Sequence, residues 1–320
     1  MDEFALIEEL IVPRAGHRAD VVLGIGDDGA VVTSPFGEEL VVVADTMVAG
    51  VHFPPQLSPA DIGYRAVAVN LSDIAAMGAE PRWATLALTL PEANRDWLTE
   101  FMRGMHEAMT EHGVQLIGGD TTRGPLTITV QLIGSVPCGQ ALTRHGAGPG
   151  DAIFVSGTVG DAAAGLAILQ RGHAANEDEA TLIKRFARPA ARVALGKALR
   201  GVASSCIDIS DGLLGDLGHI AKRSACTATV EAAMVPASAA LLAGRTAAVA
   251  RDFGLAGGDD YELCFTLPAP ALIAWEVELR RQFNVCRIGT MTNTAEAGEV
   301  VVMDEEGRPM QVSYHGYSHF

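Results

Sequence analysis

Acidic residues in this chain stand where acids are normally avoided, at the ends of apolar runs or inside one. The runs are Gly24-Ile25-Gly26-Asp27-Asp28, Val41-Val42-Val43-Ala44-Asp45, Asn70-Leu71-Ser72-Asp73, Gly118-Gly119-Asp120, Ile207-Asp208-Ile209-Ser210-Asp211 and Gly257-Gly258-Asp259-Asp260. An apolar run buries its strand or helix, so a carboxylate at its end lies near the rim of the core. Such a carboxylate is costly unless it is paired, hydrogen-bonded or bound to metal. Few Lys or Arg residues lie beside these positions, and the pattern points to a shared cation cluster. Only oxygen ligands are on offer and the histidines are not spaced as a set. Mg²⁺ or Mn²⁺ fits that chemistry, whereas zinc and copper do not. Mg²⁺ commonly joins a few carboxylates to substrate phosphates, which makes phosphoryl transfer the expected chemistry. The chain has no G-x-x-x-x-G-K-[ST] and no H-R-D or D-F-G set, which excludes a P-loop or protein-kinase fold.

Each acidic position also has a simpler reading. Gly26-Asp27-Asp28-Gly29 allows a tight turn, and its adjacent acids repel unless a cation joins them or water solvates them. Asp45 can cap the turn that follows it. Asp73 shares a helical face with Asn70 and Met77, where a buried hydrogen bond is the alternative to metal. Asp208 and Ser210 share one face of a strand, and Asp211 can cap the helix beyond Gly212. The N-terminal turn of that helix is expected to offer free backbone N–H groups to a phosphate. Ser156-Gly157-Thr158-Val159-Gly160-Asp161 reads mainly as a tight strand-to-helix turn.

The elements that must position these residues are legible in outline. Strand-like runs at 40–44, 84–90 and 126–136 alternate with helical ones at 59–77 and 95–112. Ser58, Pro59 and Gly78 punctuate the first helix. Composition shifts at Pro137-Cys138-Gly139 and again at Gly146-Ala147-Gly148-Pro149-Gly150. Beyond the shift, strands are expected at 152–156, 205–209, 262–267, 285–291 and 299–303, with helices at 160–171, 189–200, 212–223 and 270–283. The mixed order predicts an α/β protein of the α+β type with two mixed α/β layer domains. The expected division is 1–139 and 140–320.

The 320 residues suffice for two such cores. With 23 basic and 39 acidic residues the net charge is −16, which argues against nucleic acid or an anionic membrane surface as partner. The five cysteines are scattered with no C-x-x-C pair, as suits a reducing compartment. The start, Met1-Asp2-Glu3-Phe4, has no signal-peptide pattern and no run reaches membrane-span length. The expectation is a cytoplasmic protein.

Gly24-Ile25-Gly26-Asp27-Asp28-Gly29-Ala30, Asn70-Leu71-Ser72-Asp73-Ile74-Ala75-Ala76-Met77-Gly78-Ala79, Gly118-Gly119-Asp120-Thr121-Thr122, Ile209-Ser210-Asp211-Gly212-Leu213 and Gly257-Gly258-Asp259-Asp260-Tyr261-Glu262-Leu263 together resemble the thiamine-monophosphate kinase family. The likeness runs from Glu3-Phe4 to Gly316-Tyr317. Single motifs recur across a superfamily that includes aminoimidazole ribonucleotide synthetase. The full set, with Asp45 followed by Gly50-Val51-His52-Phe53, is more specific to the kinase. The resemblance implies the aminoimidazole ribonucleotide synthetase-like fold, a homodimer formed through the N-terminal domains, and ATP-dependent, Mg²⁺-assisted conversion of thiamine monophosphate to thiamine diphosphate. By position it implies Asp28, Asp45, Asp73, Asp120, Asp208 and Asp211 as ligands of several Mg²⁺ ions. It likewise implies Gly119, Asp120, Arg144 and Ser210 as ATP contacts, and His52, Asp259 and Tyr314 as thiamine-site residues.

No general base is assigned, because a phosphate oxygen is already ionised near neutral pH. Judged singly, Arg144 also reads as a surface ion pair, Tyr314 as packing and His52 as a structural histidine. Two departures from the family stand out: Val43-Ala44 before Asp45, where relatives often carry hydroxyls, and the pair Asp259-Asp260, where relatives can carry Glu-Asp. The alternatives are another ATP-dependent enzyme of the superfamily and a non-catalytic nucleotide-binding regulator.

Overall fold

The computed structural model describes residues 7–293 and 298–312. They form two compact units. The first takes the chain as far as Ile74 together with Ala79–Gly139, and the second takes Ala75–Gly78 together with the chain from Gln140 onward.

The first unit opens with a helical turn at Ile7–Ile11 and a short antiparallel pair, β1 (Val21–Leu23) with β2 (Val31–Val32). Its main sheet has β3 (Glu38–Val48), β4 (Glu80–Leu90), β5 (Gln115–Arg123) and β6 (Thr127–Pro137) in the order β3-β6-β4-β5. β6 runs antiparallel to both neighbours, while β4 and β5 are parallel. Alternation sets the two faces of this sheet. Val41 and Met47 of β3 and Ile128, Val130 and Leu132 of β6 are buried, whereas Leu40 and Val42 are 48% and 57% exposed.

Two helices complete this unit, α1 (Pro59–Ala76) and α2 (Arg95–Glu111). α1 is apolar nearly all round, and Val67, Leu71 and Ile74 are almost wholly buried. Ser58 caps it as expected, its hydroxyl accepting the Asp61 N–H at 3.1 Å. α2 buries Leu98, Phe101, Met102, Met105 and Met109 at three- and four-residue spacing, and Arg103 pairs with Glu100 and Glu107 on its open side. The two helices cross at Gly63 and Gly104, where a Cβ would strike the carbonyls of Phe101 and Ala60.

The second unit holds a seven-stranded sheet of β7 (Ala152–Ser156), β8 (Ser205–Asp208), β9 (Thr227–Glu231), β10 (Leu263–Leu267), β11 (Val285–Thr292), β12 (Val300–Met303) and β13 (Pro309–Met310). Their order is β13-β12-β9-β11-β7-β10-β8. Among the described residues of this sheet only the β12–β9 pairing is parallel. Every residue of the inner strands β7 and β10 is buried, which is why both read as unbroken apolar runs. The helices are α3 (Asp161–Arg171), α4 (Glu177–Ala187), α5 (Val193–Ala198), α6 (Leu213–Arg223), α7 (Ala239–Leu242), α8 (Ala247–Ala256) and α9 (Ala269–Phe283). Leu213, Leu217 and Ile220 of α6 join Ile153, Val155, Ile207, Cys264 and Ile288 in one core. Burial of each such side chain contributes roughly 1.5–3 kcal/mol.

Both sheets are mixed and carry helices, so the α+β type of α/β architecture is present twice. Among the described residues no helix is long and apolar enough to cross a membrane. The five cysteines are all free.

Candidate functional site

In the first unit the candidate carboxylates are carried by a strand, a helix, a sheet edge and a turn. Asp45 lies on the edge strand β3, half-buried, in register with Val130. Its backbone N–H donates to the side-chain carbonyl of Asn70 at 3.1 Å, and the Asn70 amide donates in turn to the Ala66 carbonyl at 3.0 Å. Asn70 is completely buried. It thus ties α1 to the edge of β3 at Asp45, and Asp73 stands one turn further along the same helical face. Asp120 is exposed on β5, at the other edge of the sheet. The row Asp45–Val130–Leu86–Gly119 crosses all four strands, which puts those edges roughly 14 Å apart at ordinary strand spacing. This sheet by itself therefore does not bring Asp45 and Asp120 together. Gly119 passes so close to the Leu86 carbonyl that no side chain fits there.

Asp28 is exposed in a turn where Asp27 accepts its N–H at 2.9 Å, so Asp27 has a structural job. His52 is half-buried, and its Nδ1 accepts the Val48 N–H at 3.0 Å. The imidazole thus closes the turn after β3 and carries its proton on Nε2 when neutral. Asp120 belongs to a strand that the Gly-Gly-Asp-Thr-Thr composition disguised as a loop. Its pairing with β4 overrides the local propensity.

The second unit assembles its candidates more tightly. Asp208, at the end of β8, is 4% exposed and in register with Leu263 of β10. Beyond that pairing the two segments stay joined. The Ile209 N–H donates to the Glu262 carbonyl, the Tyr261 N–H to the Ile209 carbonyl and the Asp259 N–H to the Ser210 carbonyl, each at 2.8 Å. One hydrogen-bonded seam therefore carries Asp208, Ser210, Asp211 and Asp259. Asp259 and Tyr261 sit at φ +71° and +53°, a left-handed backbone that non-glycine residues adopt at a cost and that clusters at functional sites. The Tyr261 hydroxyl donates to Asp259 at 3.3 Å.

Buried groups stand beside this seam, and Asp216 holds its turn. Asp216 accepts the N–H groups of Ser210, Asp211 and Gly212 at 3.0, 3.0 and 3.2 Å. Of the N–H groups expected to be free for a phosphate, those of the turn up to Gly212 are thus occupied by an internal carboxylate. Burial, and then the nearby charges of Asp208 and Asp211, push the Asp216 carboxyl up to about 8. Asp260 accepts the N–H groups of Gly160 and Ala162 at 2.5 and 3.1 Å. Burial raises it also to about 8, with those two hydrogen bonds and Arg185 pulling the other way. Glu262 is wholly buried and gathers Arg192, Arg185 and the Ser156 hydroxyl. Ser156–Asp161 is accordingly a structural turn.

Arg144 is exposed on a segment that runs beside β8, where Cys206 donates its N–H to the Thr143 carbonyl at 2.9 Å. Tyr314 lies outside the described residues. Among the described residues no three His, Cys, Asp or Glu side chains converge closely enough to hold an ion. Sequence reasoning overlooked Asp216, although its i+5 spacing from Asp211 inside an apolar helix was a usable signal. It noted Asn70 only for its helical face.

The sequence matches the AIR synthase related protein family, the N-terminal domain over residues 26–136 and the C-terminal domain over 148–302. The thiamine-monophosphate kinase of Escherichia coli K12 is 48% identical over 321 residues, covering 99% of this chain and 98% of its own. Among solved structures, thiamine-monophosphate kinase from Stenotrophomonas maltophilia K279a superposes with a TM-score of 0.87 at 46% identity, covering 97% of this chain and 98% of its own. A second, AaThiL complexed with AMPPCP and TMP, gives 0.79 at 31% identity, covering 99% and 97%. Both layered domains thus have the aminoimidazole ribonucleotide synthetase-like fold, and the chain belongs to the thiamine-monophosphate kinase family.

Proposed function

We propose that this chain transfers the terminal phosphoryl group of ATP to the phosphate of thiamine monophosphate, releasing thiamine diphosphate and ADP. The observation that carries this reading is the seam of the second unit. It brings Asp208, Ser210, Asp211 and Asp259 into one run of backbone hydrogen bonds, which supports reading Ser210 as a nucleotide contact, Asp208 and Asp211 as metal ligands and Asp259 as an acceptor contact. A relative over nearly the full length was solved with AMPPCP and TMP, in keeping with a site for a nucleotide beside a phosphorylated acceptor.

The donor set fits Mg²⁺. It is all oxygen, and among the described residues no three of its carboxylates close into a cage, as suits an ion that keeps waters and takes phosphate oxygens. Asp28, Asp45, Asp73 and Asp120 of the first unit and Asp208 and Asp211 of the second would hold the ions. When bound, Mg²⁺ neutralises the repulsion between acceptor phosphate and ATP. The chain's own task is positioning. Asn70 holds Asp45; Gly119 and Asp120 of the first unit and Arg144 and Ser210 of the second are the residues assigned to the nucleotide, and His52, Asp259 and Tyr314 those assigned to thiamine. The acceptor arrives ionised, so no residue need remove a proton from it.

Residues 1–139 and 140–320 act as the two functional domains of a cytoplasmic enzyme. The open face of the first sheet, with Leu40 and Val42 exposed, is the surface on which a second copy docks to form a homodimer. With Mg²⁺ and ATP, ADP release is followed in a coupled assay and thiamine diphosphate by chromatography, comparing thiamine, thiamine monophosphate and other phosphorylated acceptors. Product from thiamine monophosphate alone is expected. Equal or better use of another acceptor would overturn the assignment. Val42→Asp should leave a monomer in sedimentation if that face carries the dimer.

A further inference from the structure

Three consecutive backbone N–H groups in the second unit point at one oxygen. Asp216 Oδ2 accepts from Ser210 at 3.0 Å, Asp211 at 3.0 Å and Gly212 at 3.2 Å. The Asp216 N–H donates back to the Gly212 carbonyl at 3.0 Å, so the turn and the first coil of α6 close on each other. Asp216 is 3% exposed and Gly212 is buried, while Ser210 and Asp211 remain half-exposed. Such an N–H cradle at a helix start ordinarily receives an external anion. Here the accepting oxygen is built into the chain, on the buried Asp216 side chain.

We propose that Asp216 is a positioning residue for the metal–nucleotide platform. It folds the 210–212 turn around its own carboxylate, so that the Asp211 carboxylate and Ser210 hydroxyl are fixed before any ligand arrives. The inference rests on the reading of Asp211 as metal ligand and Ser210 as nucleotide contact. Its consequence is specific: bound phosphate does not use these three N–H groups, which are already taken. A side-chain carboxylate suits this place, since it accepts several bonds at one oxygen where an amide offers one accepting atom and adds two donors.

The test titrates Mn²⁺ into the full-length protein with AMPPCP present and reads bound Mn²⁺ by its electron paramagnetic resonance signal. Asp216→Ala should weaken Mn²⁺ roughly 10-fold, the lower end for residues that orient metal ligands. Asp216→Asn, which keeps the shape, should weaken it about threefold, recovering part of the loss through its one carbonyl. Wild-type affinity in a folded Asp216→Asn protein overturns the proposal, and that variant decides the matter if the alanine form does not fold. Asp260→Asn, which loosens a comparable buried clamp on another turn, should leave Mn²⁺ affinity unchanged. An equal loss there would mark general loosening and overturn the specific role. If wild-type protein binds no Mn²⁺ even with AMPPCP, the metal assignment and this inference fall together. If it binds Mn²⁺ yet makes no thiamine diphosphate, only the substrate reading fails.

Discussion

The two units hold their candidate carboxylates by opposite means. In the first, neutral contacts set the backbone that carries them: Asn70 accepts the Asp45 N–H, and the sheet ladder places Asp120. Where that unit draws an acid inward, it supplies cations. Asp20 accepts from Arg18 at 2.9 and 2.8 Å and from Trp83 at 3.1 Å, with Arg82 also paired to it. Arg18 above all holds the Asp20 carboxyl down at about 2. In the second unit the acids themselves are the scaffold. Asp216 and Asp260 are buried, clamp backbone N–H groups and are pushed up to about 8 by that burial. One residue type therefore does two jobs, and what separates them is whether water and cations or backbone dipoles surround the carboxyl.

The largest expected effect breaks this comparison at its chemistry. Asp208→Asn should lower turnover at least about 100-fold, since even outer-shell losses at metal sites reach that size. Steady-state rates at limiting Mg²⁺ check it, and near-normal turnover there would end the metal role of the second unit.

Next comes the scaffold. Glu262→Gln leaves Arg185 and Arg192 without their shared buried carboxylate, at a cost of about 3–5 kcal/mol. Denaturant unfolding reads that loss, and a change under about 1 kcal/mol would mean that the cluster is not a scaffold. In the first unit Asn70→Ala removes one acceptor and one donor. Stability should fall by about 1–3 kcal/mol, with turnover lowered because Asp45 loses its anchor. A stability loss with unchanged kinetics would confine Asn70 to packing.

The smallest effect is the pH response, where the units should differ in sign. Asp216 and Asp260 have folded values of about 8, above the ordinary 3.8. Their contribution is fully present below about pH 4 and is lost as pH rises through about 8. Asp20, at about 2 against 3.8, contributes above its ordinary value and loses that contribution as pH falls through about 2. Melting temperature should thus decline from about pH 5 to 9, and Asp260→Asn should flatten the decline. An unchanged slope in that variant would assign the titration elsewhere.

Much of the frame was legible without coordinates. The helix at 59–77 appears as Pro59–Ala76 with Ser58 as its cap, and the apolar runs at 152–156 and 262–267 are inner strands. Local pattern failed where long-range pairing overrode it. β5 hides in a Gly-Gly-Asp-Thr-Thr run and exists through its ladder to β4. β9, short and threonine-rich, exists between β11 and β12. The helices at Glu177–Ala187 and Ala247–Ala256 were not anticipated either, although Asn176 and Thr246 cap them through side-chain oxygens.

By itself the sequence determined the chemical inventory: oxygen donors at glycine-rich junctions, no P-loop, and motifs that resemble one family of kinases. Residue type, short spacing and turn chemistry suffice for that, because they act within a few residues. Only the tertiary structure decided which N–H groups are free and which acids are scaffold. Asp216 and Asp211 read alike as letters, yet one is 3% exposed beneath the turn and the other half-exposed on it. Burial and hydrogen-bond partners set a carboxylate's charge and role, and both come from chain segments brought together only by folding.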